Sequence, residues 1–113
     1  MDFDRYQILA RRTQNHELSS VDKELHALHG LASEVGEIHA IFQKSYQGHP
    51  VKIEQIVDEL GDLLWFAAEL ADRFDVRLSS VAVHNVEKLE KRYPEGFTAE
   101  RSINREEYRR EAK

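Results

Sequence analysis

The sequence predicts an all-α protein, a four-helix-type bundle completed by oligomerisation, and three observations carry that prediction. Apolar residues recur at helical spacing through most of the chain, and no run of alternating residues reads as a strand. Breakers are sparse, two prolines and five glycines, with Pro50 and Pro94 placed where segments should end. A chain of 113 residues has room for one domain with a modest core, and self-association is the natural supplement to such a core. The expected organisation is a single domain over 1–113 with a charged tail from about 98.

The first helix is expected from about Phe3 to Thr13, with Phe3, Tyr6, Leu9 and Ala10 on one side. A second starts near Ser19 or Ser20, either a suitable N-cap, and runs to about Tyr46 with Leu28, Leu31, Val35, Ile38 and Phe42 as its stripe. Gln47-Gly48-His49-Pro50 reads as a turn. The third helix, about Val51 to Phe74, carries Ile56, Leu60, Leu63, Leu64, Ala67, Leu70 and Ala71 and is the most apolar segment. Ser79 is the expected cap of a fourth helix to about Tyr93, with Leu78 and Val83 placed as a hydrophobic staple. Pro94-Glu95-Gly96 ends it, and Phe97 to Lys113 reads as a tail lying over a neighbouring subunit or partly disordered.

Composition removes several function classes. Net charge is −5 with no dense basic run, which argues against nucleic acid or an anionic membrane as partner. No apolar run approaches the ~18 residues a membrane span needs, and the N-terminus lacks a signal peptide's apolar core. The absence of cysteine excludes disulfides and thiolate metal sites. A soluble, cytoplasmic protein is the expectation.

One phrase occurs twice, 25 positions apart: Glu34-Val35-Gly36-Glu37 and Glu59-Leu60-Gly61-Asp62. Carboxylates at i and i+3 share a helix face, so two packed helices would converge four acids. At roughly 100° per residue both pairs fall on the shoulder of the apolar stripe, where clustered charge is costly unless paired or metal-bound. Oxygen-only donors point to a hard cation, Mg²⁺ or Mn²⁺. With 21 acidic residues, some such pairs arise by chance on solvated faces, and Glu69-x-x-Asp72 is read as one. Gly30, Gly36 and Gly61 are costly inside helices and are expected where another helix or a ligand comes close.

On the fourth helix Asn85, Lys88 and Arg92 fall among Leu78, Val81 and Leu89, on the side expected to face the bundle. The cationic heads of the lysine and the arginine must snorkel to solvent or find anions, either the four carboxylates or phosphates held near them. Acids, a hard divalent metal and a cationic arm together describe phosphoryl chemistry on a polyphosphate. There is no glycine-rich phosphate loop.

The strings Gly30-Leu-Ala-Ser-Glu-Val-Gly-Glu37, Asp58-Glu-Leu-Gly-Asp-Leu-Leu-Trp65 and Asn85-Val-Glu-Lys-Leu-Glu-Lys-Arg-Tyr-Pro-Glu-Gly-Phe97 resemble the MazG-like nucleotide pyrophosphohydrolases of the all-α NTP pyrophosphatase superfamily. The resemblance covers roughly 20 to 105 and implies Mg²⁺-dependent hydrolysis of a nucleoside triphosphate between the α and β phosphates, releasing monophosphate and pyrophosphate. The family's metal-binding acids match Glu34, Glu37, Glu59 and Asp62, and its phosphate-contacting residues match Asn85, Lys88, Arg92 and Tyr93. The family often starts its first motif with two adjacent acids, and here the earlier position is Ser33. Dimers, or tetramers of paired dimers, are implied as well.

Phe66, one turn beyond Asp62, is a candidate for stacking on the base or sugar, with core packing as its other reading; for the adjacent Trp65 core packing is favoured. His26, two turns before Glu34, is a candidate nucleotide contact or a structural histidine. Three alternatives stay open. Phosphoribosyl-ATP pyrophosphohydrolase belongs to the same superfamily. A di-iron carboxylate bundle expects Glu-x-x-His pairs, which the chain lacks. A non-catalytic assembly or regulatory module that retains the metal site is the third.

Overall fold

The computed structural model describes residues 1–105, which form α1 (Phe3–Arg11), α2 (Ser20–Ser45), α3 (Ile53–Arg73), α4 (Leu78–Arg92) and α5 (Ala99–Ile103). No strand occurs among the described residues, so the all-α expectation holds. The chain divides into two compact units, Met1–Leu78 and the segment from Ser79 onward.

In the first unit α2 packs along α3, and the pairs that meet run in opposite order. Glu24 meets Arg73, His26 meets Glu69, Gly30 lies against Phe66, and Glu34 faces Glu59 and Asp62, so the two helices are antiparallel. Ser19 caps α2, its Oγ accepting from the Asp22 N–H at 3.1 Å. The far end of α2 closes in a Schellman motif: Gly48 N–H donates to Ser45 O, His49 N–H donates to Lys44 O, and Gly48 takes φ 91°. Pro50 follows because the chain can no longer continue helical.

The seam is narrower than the leucine pattern implies. On α2 the buried positions are Ala27 and Gly30, whereas Leu28, Val35 and Phe42 of the expected stripe are about half exposed. On α3 the fully buried residues are Ala68 and Glu69, and Leu60 is 52% exposed. Small residues let the helix backbones approach, which turns the packed face of α2 toward its acidic shoulder.

Helix α1 lies on α3 through a polar clamp. Gln7 is 2% exposed, and its amide donates to Asp72 Oδ1 at 2.8 Å and to Val76 O at 3.0 Å. Arg11 Nε reaches the same oxygen at 2.9 Å, and Gln14 donates to Asp72 Oδ2 at 2.9 Å. The Trp65 indole donates to Thr13 Oγ1 at 2.8 Å. This clamp also corrects the start of α4, which begins at Leu78 rather than after a Ser79 cap. The Leu78 N–H donates to Gln7 Oε1 at 2.8 Å, so a side chain from α1 satisfies the helix's first donor.

In the second unit α4 ends at Arg92, the chain turns through Pro94-Glu95-Gly96 with Gly96 at φ 92°, and the Tyr93 and Phe97 rings meet at 5.4 Å. Within the stretch expected as a charged tail, Thr98 caps α5, accepting from the Arg101 N–H at 3.1 Å. Tyr108 and the rest of the expected tail lie outside the described residues.

Candidate active site

The two carboxylate phrases meet across the α2–α3 seam. Glu34, Glu59 and Asp62 each offer an oxygen within 4.8 Å of the others. Glu34 Oε2 is buried without a hydrogen-bonding partner, and what faces that side chain is the Glu59 carboxylate, near enough for the two to share a proton. The shared hydrogen bond, then burial, then the charges of Asp62, Glu59 and Glu37, raise the Glu34 carboxyl from 4.5 to about 7. Glu37 stands outside the three-oxygen cluster, exposed on the next turn of α2, and lines an adjoining pocket of about 330 Å³ together with Glu59.

Three carboxylates converging on one point, one of them holding a buried oxygen with no donor, are the donor set a hard divalent cation takes. The residues therefore fit Mg²⁺ or Mn²⁺. One neighbour escaped the sequence reading: burial, then the charge of Asp62, raise the Tyr6 phenol above its usual range, so α1 brings a phenol within electrostatic reach of Asp62. Tyr6 had been placed on an apolar helix face, and nothing in its spacing distinguishes it from a core residue.

Two turns along α2 from Glu34, His26 Nδ1 pairs with Glu69 Oε1 at 2.7 Å. Glu69 is fully buried, and its second oxygen has no hydrogen-bonding partner. The His26 ring, with its side chain 47% exposed, lies 5.7 Å from Phe66 and 6.3 Å from Trp65. The Phe66 ring fills the space that a Cβ on Gly30 would take. Gly30 is therefore the close-approach glycine the sequence suggested, whereas Gly36 and Gly61 face open space. The reading of Glu69-x-x-Asp72 as a chance pair on a solvated face is overturned: both side chains are buried and held, Glu69 by His26 and Asp72 by Gln7, Arg11 and Gln14.

The profile of the MazG nucleotide pyrophosphohydrolase domain matches residues 22–97, well over half of the chain. The chain belongs to this family. It is also 32% identical over 114 residues to the Gene 37 protein of Mycobacterium phage L5, an alignment covering 93% of this chain and 100% of that protein. No solved structure matches the chain.

The MazG match contains all four acids and also Asn85, Lys88, Arg92 and Tyr93. Asn85 and Lys88 are exposed on α4, Arg92 closes that helix, and Tyr93 packs its ring on Phe97. Ser33 is exposed on α2. No helix among the described residues is long and apolar enough to cross a membrane.

Proposed function

We propose that this MazG-family chain hydrolyses ribo- or deoxyribonucleoside triphosphates between the α and β phosphates, giving the monophosphate and pyrophosphate, with Mg²⁺ as cofactor and Mn²⁺ able to replace it. The observation that carries the reading is the convergence of Glu34, Glu59 and Asp62, which are like charges with no cationic side chain among them. Such a cluster is unfavourable alone and becomes favourable around a bound divalent cation. When bound, that cation neutralises phosphate charge and orients water.

In this reading Glu34, Glu59 and Asp62 hold the cation, and Glu37 extends the acidic set toward the phosphates. Asn85, Lys88, Arg92 and Tyr93 contact phosphate oxygens, while Phe66 and His26 face the nucleoside. Residues 1–113 act as one catalytic domain that self-associates as a dimer or tetramer in the cytoplasm. The half-exposed Leu28, Val35, Phe42, Val57 and Leu60 of α2 and α3 support self-association, because a lone chain leaves that apolar surface in water.

The test is product analysis. The protein is incubated with each common NTP and dNTP in the presence of Mg²⁺ or Mn²⁺, and the products are separated. Monophosphate with pyrophosphate is the expected pair. Diphosphate with orthophosphate refutes the scissile bond, and intact nucleotide under every combination refutes the enzyme reading altogether.

A further inference from the structure

The pocket beside the acid cluster has a second wall of opposite charge. Glu37 from α2 and Asp58 and Glu59 from α3 line one part, and Lys44, His49 and Lys52 line another. Its volume of about 330 Å³ lies within the range of small-molecule sites. Glu59 belongs both to this pocket and to the three-carboxylate cluster, so the two sites adjoin at that residue.

Among the described residues neither ammonium nor the His49 ring forms a hydrogen bond or ion pair. Lysines that share a pocket with three carboxylates yet pair with none are held apart from them by a gap. The local backbone explains how. Lys44 sits in the last turn of α2, where the helix dipole favours a cation. The Schellman turn with Gly48 at φ 91° then reverses the chain, its His49 N–H bonded to Lys44 O at 3.2 Å. Lys52 stands at the head of α3 in extended conformation, its side chain making no cap bond.

We propose that this pocket is the subsite for the pyrophosphate end of the substrate, with Lys44, Lys52 and His49 gripping the terminal phosphates on the side away from the acid cluster. The inference rests on the triphosphate-cleaving reading above and adds to the α4 residues a second set of phosphate contacts. Charge balance specifies the order of binding. Three carboxylates outweigh two ammonium groups in the lining, so the pocket repels a free anion and accepts one only when a divalent cation offsets the acids.

The test is calorimetric titration of the full chain with inorganic pyrophosphate, with and without Mn²⁺, beside a steady-state assay on nucleoside triphosphate. The wild-type protein should bind pyrophosphate with Mn²⁺ and lose that binding without it. Lys44→Ala and Lys52→Ala should each weaken it at least ~10-fold, the scale of one charge-assisted hydrogen bond. Both should raise KM for triphosphate and leave Mn²⁺ binding and helical circular dichroism unchanged, and Lys44→Arg should restore affinity. Pyrophosphate affinity unchanged in both alanine variants, or absent from the wild type with Mn²⁺, overturns the subsite. Turnover with wild-type KM in those variants overturns it as well while sparing the proposed reaction. No triphosphate turnover by the wild type defeats the reaction, and the pyrophosphate titration still reports on the pocket.

Discussion

Helix α3 carries nearly the same tetrapeptide twice, Glu59-Leu60-Gly61-Asp62 and Glu69-Leu70-Ala71-Asp72, ten residues apart. Spacing and residue types are the same, yet the two pairs have opposite surroundings. Ten residues leave the second pair about 80° short of a whole number of turns, enough to face a different neighbour. Glu59 and Asp62 meet another carboxylate, Glu34. Asp72 meets a guanidinium and two amides, and Glu69 meets an imidazole. Two acids at i and i+3 thus announce only that a helix face is acidic. Whether the face binds a cation or braces the fold is decided by what the neighbouring helices bring to it.

The sharpest separation of the two pairs is between activity and stability. Glu59→Gln or Asp62→Asn should lower turnover on the order of 10³-fold, the scale of losing a preorganised charge contact at the reacting groups, with helical content and melting temperature preserved or raised. Asp72→Ala should do the reverse. It leaves the buried amides of Gln7 and Gln14 and the Arg11 guanidinium without their acceptor, a loss of about 2–3 kcal/mol in urea denaturation. An Asp72→Ala protein as stable as wild type, or a Glu59→Gln protein that unfolds, would erase the distinction.

Acidity gives a second handle on the first pair. In the folded, metal-free protein the Glu34 carboxyl sits at about 7, whereas an unfolded chain returns it to 4.5. The folded state therefore binds this proton more tightly. The resulting stabilisation is complete below 4.5 and is lost as pH rises through about 7, so the metal-free melting temperature should fall across that window. Glu34→Gln should flatten the fall. Cation binding runs the other way, because ligand carboxylates must be deprotonated: affinity should rise through the same window with proton release, read by calorimetry in buffers of different ionisation enthalpy. An affinity flat from about pH 5 to about pH 8 would remove Glu34 from the ligand set.

Much of this was legible in the chain. The 3.6 period locates α2 and α3 to within a few residues, one of the two serines expected to cap α2, Ser19, does so, and the twin phrases contain the three acids that converge. What was illegible depends on partners remote in sequence. The Glu69 and Asp72 pair looked incidental because His26 and the Gln7, Arg11 and Gln14 clamp come from other helices. The start of α4 was misplaced because its first N–H is satisfied by Gln7, across 71 residues, and not by a local serine. The leucine stripe of α2 overstated burial because its contact with α3 runs through Ala27 and Gly30, which carry little hydrophobic signal.

Glycine is the residue by which the two tetrapeptides differ, and the α2–α3 seam supplies its reference. Gly30→Ala should destabilise by about 1–3 kcal/mol, since the new methyl overlaps the Phe66 ring, itself packed against Trp65 at 5.0 Å and His26 at 5.7 Å. Gly61→Ala converts the first tetrapeptide into the second. Nothing lies within 4 Å of the new methyl, so the helix should gain about 0.5–1 kcal/mol. If Gly61 serves only the fold, the variant is more stable and fully active. If it leaves room for substrate or for a second copy of the chain, stability of the isolated chain rises while KM or the association constant worsens. Thermal melts at two protein concentrations together with KM separate those outcomes, and a destabilised Gly61→Ala would contradict the open space beside it.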